Sequence, residues 1–154
     1  MFGAELSFAH QNEQTFEFDQ DCSDVSHAFK RLLALRVTNI LVKTFVDGRH
    51  PLSAEQLADK LQIPIRLVRE IVDALLQSKI ISEVSSHASV EGAYQPAQNI
   101  DLYTIKYVVD NLEHRGTDHL PIAESEELAK LSDYLRDLGK AVEQSPKNVL
   151  LKEI

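Results

Sequence analysis

The chain is poor in the residues that most often carry chemistry: one cysteine, one methionine, no tryptophan, five glycines and five prolines among 154 residues. A single thiol, Cys22, can neither close an internal disulfide nor supply a multi-cysteine zinc site, so the sequence reads as one suited to a reducing compartment. Cys22 itself reads as a small, partly buried residue at a helix start. So few glycines leave little room for a glycine-rich phosphate loop. Long apolar runs are missing too. The mildly apolar opening, residues 1–11, is far shorter than the ~20 residues that span a bilayer, and it lacks the basic region and cleavage pattern of a signal peptide. As given, the chain reads as soluble. Positive charge is scarce: 16 lysines and arginines face 24 acids, a net charge of −8, with a pI near 5.2. That is an unfavourable start for a phosphate-binding surface.

The histidines are scattered, at His10, His27, His50, His87, His114 and His119. Only His114, Asp118 and His119 come close together, at an expected helix end and loop, and no HExxH or dense His/Asp cluster accompanies them. No serine or cysteine is singled out as a nucleophile with its base. The expectation is no catalytic residue, no metal, no cofactor and no small-molecule ligand.

What is present is a patterned core. Hydrophobic residues make up 44% of the chain, enough for one domain with a buried interior. The organising stretch is residues 51–96. Ser53 and Gln56 form a capping box that starts a short helix near Ala54, with Leu57 and Leu61 on one face. Gln62-Ile63-Pro64 reads as a turn, because Pro64 cannot continue the first helix but suits the start of a second. Leu67, Val68, Ile71, Val72, Leu75 and Leu76 then recur at helical spacing up to about Ser78. Ile80, Ile81 and Val84 favour a strand, residues 85–92 a polar tip, and residues 93–95 a returning strand that Pro96 ends.

Around this lie further elements. Residues 13–21 carry Glu13, Glu17, Asp19 and Asp21 interleaved with Phe16 and Phe18, which reads as an extended acidic linker. A long helix is expected over residues 24–46, with Val25, Phe29, Leu32, Leu33, Arg36, Ile40 and Lys43 at intervals of three and four and Gly48 as its stop. Asp101 is expected to cap a helix bearing Leu102, Ile105, Val108, Val109 and Leu112 and closing at Gly116. A last helix over residues 124–142 places Leu128, Leu131, Leu135 and Leu138 on one stripe, with Glu124, Glu126 and Glu127 in the first turn, where the helix dipole favours acids. The tail, with Val149, Leu150, Leu151 and Ile154, is apolar enough to dock on its own domain or on a partner. The fold class expected is mainly α with a small β-hairpin: a winged helix-turn-helix core with additional N- and C-terminal helices. Residues 1–21 form an end segment and linker, 22–116 the winged-helix domain, and 117–154 a C-terminal helix and tail packing on it.

In a helix-turn-helix the second helix enters the major groove, so the candidate nucleic-acid-binding residues are Arg66 and Arg69 on that helix, with Lys30 and Arg31 on the first. Their setting is unpromising. Residues 51–96 hold four cations against six acids, a net of −2, and the expected wing tip has no lysine or arginine. Affinity for nucleic acid grows with the number of phosphates neutralised, so these counts disfavour it. The basic residues of the first helix read as a solvated face. A continuous positive face joining Arg66 and Arg69 to Lys30, Arg31 and Lys43 would raise the nucleic-acid reading, and neutralisation of those residues would lower it.

Two features, an opening segment and the remainder of the chain, together carry a family resemblance. Gly3-Ala4-Glu5-Leu6-Ser7 resembles the end of the last membrane helix in the YihY/BrkB family of inner-membrane proteins, many labelled ribonuclease BN or tRNA-processing ribonuclease. Residues 64–69 (Pro-Ile-Arg-Leu-Val-Arg) and 93–97 (Ala-Tyr-Gln-Pro-Ala), followed by Ile100 and Ile105, resemble the cytoplasmic C-terminal extension of that family. The resemblance implies a non-catalytic cytoplasmic interaction or regulatory domain of a bacterial inner-membrane protein, partnered by itself or by the membrane portion of its parent chain. The ribonuclease label would need an HxHxDH cluster that this sequence does not hold. The alternative is DNA or tRNA binding through the helix-turn-helix. Residues 92–97 are also similar to the return strand of Rrf2-type transcription regulators, without the cysteine ligands of their cluster-binding members.

Overall fold

The computed structural model describes residues 24–85, 92–117 and 120–154. The acidic linker and opening segment, Cys22, the wing tip and the Asp118–His119 pair lie outside the described residues.

Helix α1, His27–Val46, is the central element. Ser26 accepts from the Phe29 amide at 3.2 Å, so the cap sits two residues later than Asp24. The left-handed Gly48, at φ +64°, follows the helix end as expected. The buried stripe of α1 runs through Leu33, Ala34, Val37, Leu41 and Val42. Phe29 and Leu32, placed on the core stripe by their spacing, are instead exposed. They sit one step round the helix from the line that faces the other elements.

Strand β1 (Leu52–Ser53) leads directly into α2 (Ala54–Leu61), where the capping box is complete: Ser53 accepts from the Gln56 amide at 3.3 Å and Gln56 Oε1 accepts from the Ser53 amide at 3.0 Å. Helix α3 (Ile65–Gln77) comes next, with Leu67, Val68, Ile71, Val72 and Leu75 buried. Full burial of side chains such as Leu57, Val68 and Leu75 contributes about 1.5–3 kcal/mol each. Strands β2 (Ile81–Val84) and β3 (Ala93–Pro96) pair antiparallel from Ile81↔Pro96 to Val84↔Ala93. β3 also pairs with β1, at Leu52↔Tyr94 and Ser53↔Ala93. The expected hairpin is thus a three-stranded sheet, in the order β1-β3-β2. Two residues of β1 are too few to show an alternating pattern. Pro96 belongs to the ladder as its last residue, where its missing donor costs nothing.

A 3₁₀ turn over Ile100–Leu102 leads out of the sheet, capped by Asn99 rather than Asp101. Thr104 then caps helix α4, Ile105–Glu113. The C-terminal tail folds back over this junction. Ile105 and Lys106, whose amides have no partner inside α4, donate to Val149 O at 3.2 Å and Asn148 Oδ1 at 2.8 Å. Leu151 is buried, its amide donates to Tyr103 O at 2.8 Å, and its carbonyl accepts from Asn39 Nδ2 at 2.6 Å. The tail therefore docks on its own chain. Between α4 and the tail runs α5, Glu126–Glu143, an 18-residue helix with no buried residue. No helix among the described residues is long and apolar enough to cross a membrane.

Candidate nucleic-acid interface

Helices α2 and α3 meet through a tight turn. Gln62 is left-handed, at φ 54° and ψ 44°, and its side-chain amide donates to Asp59 O at 2.6 Å. Pro64, at φ −58°, fixes the entry into α3 without needing a donor. With the opposite face of α3 anchored in the core, the helical period brings Arg66, Arg69, Glu70, Asp73 and Gln77 together on the outer face, all exposed. Helix α3 is thus packed into the core on one side and presents a polar face on the other.

The wing base is held from below. Tyr103 is fully buried. Its hydroxyl donates to Ile80 O, beside β2, and accepts from the Gln98 amide at 3.0 Å, just after β3. Desolvation by burial pushes its pKa above the ordinary tyrosine value, against the opposing effect of the Gln98 hydrogen bond. Tyr107 packs edge-on against it, with ring centroids 5.6 Å apart. Periodicity and charge do not single out Tyr103; its only signal in the sequence is a lone aromatic between a turn and a helix.

The charges are arranged with more discrimination than a count suggests. Lys30 Nζ lies 2.8 Å from Glu70 Oε2, and Arg31 Nη1 lies 3.2 Å from Glu113 Oε1. These two cations are therefore neutralised by acids of α3 and α4 rather than joined to Arg66 and Arg69 in one positive face. The Lys30 pair has a second effect: it neutralises one of the two acids on the outer face of α3. Asp73 remains, while Arg66, in the first turn, makes no ion pair among the described residues. His114 points a ring nitrogen at Asp110 O, 2.7 Å away, and Asp118 and His119 of the same short stretch lie outside the described residues.

Neither a protein-family model nor a curated protein matches the chain. Solved structures do. CymR, the global cysteine regulator of B. subtilis, is similar over 84% of this chain and 93% of its own, with 19% identity and a TM-score of 0.54. Staphylococcus aureus CymR is similar over 80% of this chain and 93% of its own, with 20% identity and a TM-score of 0.52. These likenesses overturn the YihY/BrkB resemblance, and with it the basis for a membrane-bound parent and a ribonuclease label. The residues that carried it explain why it misled. Pro64 caps α3, Leu67 and Val68 fill the core, and residues 93–96 form β3, so the winged-helix architecture itself asks for these residue types at these places. The chain has the winged helix-turn-helix fold, as do solved regulators such as CymR.

Proposed function

We propose that this chain is a DNA-binding transcription regulator that reads the major groove with α3 and works as a homodimer. The observation that carries the reading is the first turn and a half of α3. Arg66 and Arg69 stand exposed on a helix whose other face is locked into the core, and Lys30 neutralises the neighbouring Glu70. The net charge of −8 weighs against strong nonspecific binding, but it is an average over the chain. Groove reading depends on the few side chains at the helix start.

Helix α5 supplies the second half of the proposal. Leu131, Tyr134, Leu135, Leu138 and Val142 lie on one side of it with more than half their surface in water, from 53% for Val142 to 69% for Leu135. An amphipathic helix whose apolar side is exposed among the described residues calls for a cover. A second copy crossing antiparallel about the midpoint of Tyr134 and Leu135 places Leu131 of one chain against Leu138 of the other. Under this reading residues 22–116 form the winged-helix unit and residues 117–154 a dimerisation arm with a docked tail. A twofold dimer presents two copies of α3 to a pseudo-palindromic site.

Selection of bound duplexes from a random DNA library by the full chain tests this. The expected product is an enriched inverted repeat with half-sites about one helical turn, or a multiple of it, apart. Recovery of no enriched sequence even at low salt, where electrostatic attraction is strongest, would sink the proposal.

A further inference from the structure

Along the face of α3 that carries Glu70, Asp73 and Gln77 the structure holds a cleft of about 660 Å³. Its floor is the N-terminal half of α1, one wall is α3, and the other is the end of α4 with the residues just after it. Room exists because three of the side chains that meet there, Ala28, Ala34 and Ala74, are small; Ile71 and Leu112 complete an apolar lining. The volume falls within the range of small-molecule sites, about 300–1,000 Å³.

The charges around the cleft are sorted by wall. Lys30 and Arg31 on the floor are each paired to an opposite wall, Lys30 to Glu70 of α3 and Arg31 to Glu113 of α4. One lining charge on each wall then remains without an ion pair among the described residues: the carboxylate of Asp73 on α3 and the guanidinium of Arg115 after α4. An apolar lining between an unpaired anion and an unpaired cation, with the floor's own cations already paired to the walls, suits a ligand with the reverse order of charges.

We infer that this cleft binds a small zwitterion with an apolar body, of the size of a di- or tripeptide. Its ammonium sits at Asp73 and its carboxylate at Arg115, where a guanidinium can hold both oxygens. Such a ligand bridges α3 to α4 and so to the segment leading into α5. It thereby tunes how the recognition helix stands relative to the arm. This regulatory consequence rests on the DNA-binding reading, whereas the site itself does not.

The test is therefore made without DNA, by titrating the full chain with dialanine, divaline and dileucine and following methyl resonances of Ala34 and Ala74 together with calorimetry. At least one dipeptide is expected to shift both methyls. Removing its ammonium by N-acetylation, or its carboxylate by amidation, is expected to weaken binding about tenfold or more, as loss of a charge-assisted hydrogen bond does. Asp73→Asn is expected to weaken the free dipeptide but not its N-acetyl form, and Arg115→Gln to weaken the free dipeptide but not its amide. Both side chains are exposed, so neither change threatens folding. The inference is overturned if no dipeptide shifts the methyls, or if the two variants fail to discriminate the blocked forms. A peptide that binds as inferred yet leaves DNA affinity unchanged removes the regulatory consequence and leaves the site.

Discussion

Lys30 and Glu70, forty residues apart, form an ion pair at 2.8 Å that joins α1 to the outer face of α3. Both side chains keep a third or more of their surface in water, 35% and 44%, so the pair adds little to stability once screened. Its consequence is electrostatic: Glu70 would otherwise stand as a second unpaired acid beside Arg66 and Arg69.

Lys30→Ala is therefore expected to weaken DNA binding by about twofold to fivefold, the scale of an exposed pair, although Lys30 itself belongs to α1. Lys30→Ala/Glu70→Ala should restore it. A double-mutant cycle measured by fluorescence anisotropy checks this. If both variants lose affinity alike, Lys30 is contacting DNA directly.

Tyr103→Phe removes the hydroxyl that serves both Ile80 O and the Gln98 amide. Ile80 O keeps the Ala97 amide as a donor at 3.0 Å and Gln98 is exposed, so the loss is that of the hydroxyl's own hydrogen bonds, about 0.5–1.5 kcal/mol, readable as a fall in the denaturant midpoint. The pH dependence has a definite sign. Burial raises the Tyr103 pKa above 10.0, so the folded state holds this proton more tightly than the unfolded state does. The associated stability is full below about pH 10 and is lost as pH rises through the folded value. The wild-type chain should show this alkaline loss, and Tyr103→Phe should lack it.

Leu131 and Leu135 are 59% and 69% exposed, so Leu131→Glu/Leu135→Glu removes no core packing. The variant should keep its thermal midpoint at low concentration and run as a monomer in light scattering. Its affinity for an inverted-repeat site should fall by about 10²-fold, the loss of a linked second contact. A wild-type chain that is itself monomeric at high concentration would contradict the role given to α5.

Local features of this fold are written in the sequence because local rules decide them. The Ser53/Gln56 capping box, the turn before Pro64 and the apolar stripe of α3 each rest on residues within four positions of one another. Where distant chain segments decide, the pattern runs out. Nothing near Lys30 announces Glu70, and two residues of β1 carry no alternation. A run of leucines like Leu128, Leu131, Leu135 and Leu138 looks the same whether a helix packs into its own core or is left uncovered; periodicity records an apolar face, not what covers it. Charge counting over residues 51–96 misses how the charges are paired for a related reason. A sum treats Glu70 as free, whereas in the fold it is taken by Lys30.

Arg66 and Arg69 are proposed to place this chain on DNA. The most direct test of that role is binding of a duplex carrying the selected repeat, across a salt series, by the wild-type chain and by Arg66→Ala/Arg69→Ala. Salt-sensitive binding is expected, with the double variant losing about 1–3 kcal/mol for each base contact removed or about one unit of salt slope for each phosphate contact removed. Equal affinity and equal salt slope for the two proteins, or no binding by either at low salt, would contradict it.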